Sequence, residues 1–306
     1  MPYDIPDYFT VDFDDSFKFK ADQTKKRLSD KALVDMGCTG ARKQHNIMDY
    51  TEGREVTGQR LSKLALQEAG GDIRNTSPRE FDHTTFENSF DAVRMHPTVL
   101  GSGKQVSNHM RFFNRTCDQV FLDGIVGTNY TGNRGADQKE VALELPVDFV
   151  NSGTGTPSGL TLDKVLHVKR IFEETEVVGQ DVENDGEIYC AFNASMHEHM
   201  IRNIEALTNR DYGDLTALGT PEFKKWHGIN WIRTEMVPVT DDPDIKKAVF
   251  WVNNKVALDG WMEFKRLVSI RNDLQGHPAQ FYSQFALDAC RLQDNAVIPV
   301  SCRVDL

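Results

Sequence analysis

The stretch from Ser102 to Gly127, SGKQVSNHMRFFNRTCDQVFLDGIVG, limits what this chain can fold into more than any other. Its apolar residues Val106, Met110, Phe113, Cys117, Val120, Phe121 and Ile125 recur in steps of three and four, the period of a helix with one buried stripe. Asn108, Arg111, Arg115, Asp118 and Gln119 fall opposite the stripe, on a side expected to face solvent or a partner. At 1.5 Å per residue, roughly 24 residues span about 36 Å, well beyond the usual globular helix. Pro97, Gly101 and Gly103 mark its start, and Gly124 with Gly127 its end. The residues on its two sides differ in character, so the helix is predicted to be a spine between an extended half and a compact half.

The extended half comes first. In MPYDIPDYFTVDFDDSFKFK, the anchors Phe9, Val11 and Phe13 alternate with polar residues among prolines and aspartates. Such an arm is too short for a core of its own and must lie on another surface. Residues 21–36 suit a short helix with Leu28, Ala32, Leu33 and Met36 on one side and Gly37 ending it. Residues 38–85 show no sustained apolar period and are rich in charge and glycine. A disordered segment fits that composition. A protruding two-stranded loop packed on a neighbouring subunit accounts better for its mixed charges.

The compact half mixes strands and helices. EVALELPVDFV reads as a strand and NSGTGTPSG as a loop. LTLDKVLHVKRIFEETEV reads as a helix with Leu162, Val165, Leu166, Ile171 and Phe172 inward, Thr161 as its cap and Asp163 at the positive end of its dipole. EIYCAF is a buried strand, and Ser195 with Glu198 has capping-box spacing for a third helix. INWIRTEMVPV, KAVFWVN, FKRLVSI, QFYSQFAL and AVIPVSCRV are strands, the last two returning to the spine. The fold class is α+β.

Composition then removes whole classes of function. A net charge of −11 argues against a dedicated nucleic-acid binder, whose affinity rests on Lys and Arg. No apolar run approaches the roughly 20 residues of a membrane span, and MPYDIPDYF has no signal-peptide pattern, so the chain is expected to be made in the cytosol with no membrane partner. The five scattered cysteines, Cys38, Cys117, Cys190, Cys290 and Cys302, read as reduced structural thiols. GSGK at 101–104 lacks the preceding Gly and following Ser or Thr of a phosphate-binding loop, since Thr98 and Gln105 stand there. GTGTPSG at 153–159 has no acidic ribose-binding residue after it. His197 and His199 are two apart and do not share a helix face, unlike the ligands of a helical zinc protease. No catalytic, cofactor-binding or metal-binding residues are predicted.

Four strings carry a resemblance to a known family. They are RFFNRTCDQVFLDGIVGTNYTG (111–132), with Arg115 and Asp118 on the spine running into a Gly-Thr-x-Tyr-Thr-Gly turn; GLTLDKVLHVKRIFEE (159–174); HGINWIRTEMVP (227–238); and ALDACRLQDNAVIPVSC (286–302). Together they resemble the major capsid proteins of tailed bacteriophages, which have the Hong Kong 97-type shell fold. The similarity covers roughly residues 85–302, and the residues before it match in architecture alone.

The resemblance implies an amino-terminal arm (1–37), an extended E-loop (38–85), a peripheral domain (86–180) with the spine helix at 102–126, an axial domain (181–275) and closing strands (276–306) that return to the peripheral domain. It implies no enzyme and no cofactor. The subunit would assemble in the host bacterial cytoplasm, as hexamers and pentamers, into an icosahedral virion head around double-stranded DNA. Expected partners are other copies of the chain, a separate scaffolding protein (no cleaved scaffold segment is expected), a portal, a decoration or cement protein, and packaged DNA through non-specific contact. Arg54, Arg60, Lys63 and Glu68 are the E-loop candidates for inter-subunit pairs. Some relatives weld subunits through an E-loop lysine; no motif identifies a partner for Lys63, so no cross-link is expected. Deleting residues 54–74 is expected to leave a folded subunit that forms no shells. The alternatives are an encapsulin-type bacterial shell protein and, from another class, a metal-dependent hydrolase.

Overall fold

The computed structural model describes residues 25–49, 51, 69–87, 102–150, 153–179, 186–203 and 225–304. The predicted spine is helix α1, Ser102–Val126. Cys117, Val120, Phe121, Leu122 and Ile125 are buried along it, while Val106 and Phe113 are half-buried. Met110, expected in that stripe, is exposed, and His109 is buried in its stead. Stepping back by four from Phe121 gives Cys117, Phe113 and His109, so the buried row passes through the histidine. Burial of an imidazole is tolerable here because both ring nitrogens are partnered, by Thr85 Oγ1 at 2.9 Å and Ser283 Oγ at 2.7 Å. Gly124 does not end the helix. A Cβ there would collide with the carbonyl of Ala289, so the glycine allows close helix–strand packing.

Asp118, expected on the solvated face, is fully buried. Its Oδ2 accepts the Arg27 amide at 2.9 Å; its Oδ1 accepts the amides of Leu28 and Ser29 at 3.1 and 3.0 Å and the Ser29 hydroxyl at 2.9 Å. Amides of residues 27–29 that bond the carboxylate are not available to the carbonyls four residues earlier, as a helix running through 21–36 would need. The helix predicted at 21–36 is therefore absent among its described residues, which turn and then form strand β1, Leu33–Asp35.

The remaining elements are β2 (Lys43–Met48), β3 (Gly71–Thr76), β4 (Arg79–Glu87), β5 (Asn129–Thr131), β6 (Asp137–Lys139), β7 (Phe149–Val150), β8 (Gly153–Thr154), α2 (Leu162–Glu174), β9 (Ile188–Phe192), α3 (Ala194–Asn203), β10 (Lys225–Trp226), β11 (Ile229–Arg233), β12 (Ile245–Val252), β13 (Val256–Ile270), β14 (Ala279–Arg291) and β15 (Val297–Arg303). The chain divides into two units. Described residues of Met1–Lys25, Phe81–Arg115 and Phe264–Phe285 belong to one, and those of Lys26–Glu80, Thr116–Glu263 and Ala286–Leu306 to the other.

The larger unit holds a five-stranded sheet in the order β10-β11-β9-β12-β15, with β11 parallel to β9. Strand alternation sends Ile188, Cys190, Phe192, Ala248, Phe250, Val252, Ile298, Val300 and Cys302 into one core with Val165, Val168 and Phe172 of α2 and Met196 and Met200 of α3. On the other face, Trp251 packs edge-on against Phe121 of α1 at 5.5 Å and donates Nε1–H to the Lys31 carbonyl at 2.9 Å. All five cysteines are free and buried.

Details of the two shorter helices differ from expectation. Thr161 caps α2, but Leu166 is exposed and Lys164 is buried. The Lys164 ammonium faces the carbonyls of Val147, Ser158, Gly159 and Ser301 at 2.9, 3.1, 3.1 and 3.0 Å. Asn193, not Ser195, caps α3, its Oδ1 accepting the Met196 amide at 2.9 Å; Glu198 pairs instead with Arg202. Residues 140–150 make no continuous strand. Leu145 alone exchanges hydrogen bonds with β15 before Pro146, and β7 starts only at Phe149.

In the smaller unit, Phe285 is stacked on Phe81 at 5.4 Å and is met edge-on by Phe113 at 4.8 Å, with Phe264 also against Phe113 at 5.0 Å. His83 lies 4.5 Å from the His109 ring. Burial, with the neighbouring His83, holds the His109 imidazole below its ordinary value of 6.5.

Two predictions follow from these packings. The unfolded chain takes up the His109 proton at higher pH than the folded chain does, so folding stability falls as pH drops through and below about 6.5. The unfolding temperature is expected to decline between pH 7.5 and 5.5, and His109→Gln to remove part of that decline; identical slopes would refute the role of His109. Separately, Lys164→Met removes a donor shared by four carbonyls, of which Val147 and Ser158 keep the backbone amides of Ser158 and Arg303, and is expected to cost about 2–4 kcal/mol in urea unfolding.

Candidate assembly hairpin and its polar root

The charged segment before the spine is a two-stranded hairpin where it is described. Strand β2 pairs antiparallel with β3, from Lys43 opposite Thr76 to Met48 opposite Gly71, and the Asp49 amide continues the ladder to the Gly70 carbonyl at 2.9 Å. β3 in turn pairs with β5, giving the sheet β2-β3-β5-β6. Met48, at the far end of β2, is 81% exposed. The predicted contact residues Arg54, Arg60, Lys63 and Glu68, and the arm anchors Phe9, Val11 and Phe13, lie outside the described residues.

Buried charge holds the root of the hairpin. Asp259 of β13 is fully buried and lies in the apolar run VALDGW. Its Oδ1 receives Lys43 Nζ at 2.6 Å, while Oδ2 receives His45 Nε2 at 2.7 Å and the Thr76 hydroxyl at 2.6 Å. Lys43 also reaches Asp35 of β1 at 2.7 Å. Burial alone would raise the Asp259 carboxyl, but hydrogen bonds from His45, Lys43 and Thr76 outweigh it and hold the group below the usual carboxylate range. For Lys43, burial likewise opposes the charge, and the two carboxylates more than compensate.

A second cluster sits on the neighbouring strands. Arg74 of β3, almost fully buried, reaches Asp294 at 2.7 Å, Asp72 at 3.0 Å and the Leu292 carbonyl at 3.3 Å. Lys139 joins Asp72 and Asp294 from the other side at 3.2 and 2.9 Å. Arg291, also buried, donates to the carbonyls of Ile125 and Gly127 at the end of α1 and to that of Lys139. Cationic donors on the last carbonyls of a helix satisfy groups that have no partner within it. Since Arg74 is part of this root, removing residues 54–74 would also take away Gly71–Arg74 of β3. A deletion that spares the root must stop within 52–68.

These root residues were missed in the sequence because they are polar groups inside strand-like stretches. The available signal was an Asp within VALDGW and an Arg after FALDAC. Among the described residues, one group of possible metal ligands comes together: His45, Asp259 and Cys290. It does not fit a metal ion well. The Lys43 ammonium already supplies the cation at Oδ1, Thr76 shares Oδ2 with His45, and burial drives the Cys290 thiol far above its ordinary value. The arrangement is an ion-pair cluster whose chemistry is cohesion.

The chain matches the phage capsid protein family over residues 5–304 and belongs to it. Sequence comparison with curated proteins finds no match. Among solved structures, the capsid of cyanophage P-SCSP1u is similar with a TM-score of 0.66 and 15% identity, over 97% of this chain and 93% of that one. The capsid of Ralstonia phage GP4 gives 0.66 and 11%, over 98% and 96%. A virus-like particle from Pyrococcus furiosus gives 0.54 and 9%, over 90% and 92%. The fold is the Hong Kong 97-type capsid fold, α+β in class. The protein is a structural component of the bacteriophage capsid shell.

Asp259→Asn leaves Lys43 and His45 facing a neutral amide in a buried site and is expected to cost about 3–5 kcal/mol in urea unfolding. The sign with pH follows from the lowered carboxyl. Its contribution is present above about 3.8 and is lost as pH falls through the folded value, because the unfolded chain takes the proton first. The variant is expected to lack that part of the acid-induced loss; an unchanged acid profile would remove Asp259 from the account.

Proposed function

We propose that the chain is the major capsid protein of a tailed phage and assembles as hexamers and pentamers into an icosahedral head around double-stranded DNA. The observation that carries this reading, beside the family, is a hairpin fixed at its root by buried ion pairs while its far strand end is left exposed. Buried charge is a costly anchor, and it makes sense where an element must keep its place without a core of its own. In this reading residues 1–37 are an arm and 38–85 an E-loop, both reaching neighbouring subunits. Residues 86–180 with α1 form a peripheral domain, 181–275 an axial domain, and 276–306 the returning strands. Ring contacts are heterologous and repeat around an axis, and many modest contacts add through high effective concentration. A separate scaffolding protein, a portal and a decoration protein are the proposed partners, with assembly in the host cytoplasm and only non-specific contact to DNA.

Expression together with the genomic neighbours, followed by negative-stain microscopy and light-scattering mass, tests this. Closed shells tens of nanometres across, built of hexamers and pentamers and filled with DNA when taken from virions, are expected. Shells holding protein cargo in place of DNA would favour the encapsulin-type alternative. Replacing residues 52–68 with a short Gly-Ser turn is expected to leave the unfolding temperature nearly unchanged and abolish shells. Normal shells from that variant would overturn the E-loop assignment.

A further inference from the structure

Beside the hairpin root lies a cleft of about 220 Å³ lined by Arg42, Asn75, Thr76, Ser77, Tyr130 and Gly135. It is smaller than the roughly 300 Å³ at which small-molecule sites begin, and suits one or two side chains. Gly135 (φ +69°) brings the lining together: a Cβ there would meet Tyr130 Cβ at 3.2 Å, Arg42 Nη1 at 3.3 Å and Asn75 Cβ at 3.6 Å. Two members carry unmet polar groups. Arg42 is exposed and makes no ion pair among the described residues. Asn75 is only 5% exposed; its Nδ2 donates to the Gly132 carbonyl at 2.9 Å, but its buried Oδ1 accepts nothing. Native structures rarely leave such an acceptor unmet.

We infer that this cleft binds an acidic, extended peptide segment, taking a carboxylate on the Arg42 guanidinium and a backbone N–H toward Asn75 Oδ1. The two unmet groups ask for an anion and an N–H donor side by side. An extended peptide with an aspartate presents both, one residue apart, and a guanidinium binds a carboxylate through paired charge-assisted hydrogen bonds. A nucleic-acid phosphate supplies the charge but has no N–H beside it. The chain itself carries a segment of this chemistry, Val11–Ser16 (VDFDDS), where apolar and acidic residues alternate. We assign the occupant as that segment of a second copy. Only this identity of the occupant rests on the self-assembly reading; the chemistry of the cleft does not.

The test is a fluorescence-polarisation titration of the full-length subunit with a labelled synthetic peptide spanning residues 9–17. Saturable binding is expected, weakened about tenfold or more by Arg42→Gln and by a peptide with Asp12, Asp14 and Asp15 replaced by Asn. Arg42 is exposed, so the variant is expected to keep its unfolding temperature. No binding, or binding indifferent to both changes, would overturn the inference. In assembled particles, Arg42→Lys with carbodiimide should give an inter-subunit amide between the substituted amine and Asp12, Asp14 or Asp15, read by mass spectrometry. Shells that lack this link would overturn the assignment of the occupant and leave the shell reading standing. Peptide binding without shells would do the reverse.

Discussion

One carboxylate, Asp259, joins four strands. It sits on β13, receives Lys43 and His45 from β2 and Thr76 from β3, and shares Lys43 with Asp35 of β1. An isolated carboxylate in that position would be prohibitive, since desolvating it costs several kcal/mol even after relaxation. Its three partners make burial tolerable, and they bring β2 and β3 with them. The same charge that threatens the core therefore decides where the hairpin is attached. Arg74, Asp72, Asp294 and Lys139 repeat the device on the adjoining strands, so the hairpin is pinned by groups that strongly disfavour partial detachment.

The arrangement suits a shell protein. A subunit that must extend an element toward neighbours cannot spend that element's apolar surface on its own core. Anchoring with buried polar pairs leaves the distal end of β2 outside the core, with Met48 81% exposed. The long helix α1 is secured differently, by apolar packing of Phe121 on Trp251, by the close approach at Gly124 and by Arg291 on its last carbonyls. Hydrophobic burial is non-directional, whereas the hydrogen bonds of Asp118 and Arg291 set register.

How much of this was legible in the sequence depends on what kind of force carries each part. The helix from Ser102 to Val126, α2, and the strands β9, β12, β14 and β15 announce themselves as apolar periods or runs, whereas of β13 only its exposed second half, Phe264–Ile270, was legible. Errors cluster where a polar group is buried. Met110 had the spacing of a core residue, yet His109, partnered by two hydroxyls, is buried in its place. Leu166 and Lys164 are exchanged in the same way by four carbonyls. Residues 21–36 had a helical spacing that Asp118 overrides at residues 27–29, since the carboxylate offers those amides a better partner than a helix would. Ser195 and Glu198 had the spacing of a cap that Asn193 supplies two residues earlier.

The sequence alone therefore determined the fold class, the spine and the mixed sheet-and-helix half, all of which follow from local periodicity and composition. Tertiary structure decided which charges are buried and with whom. Asp259 with Lys43 is separated by 216 residues, and Asp118 with Leu28 by 90. No local pattern encodes such pairs, because a buried ion is tolerated only by partners that the fold brings from elsewhere in the chain.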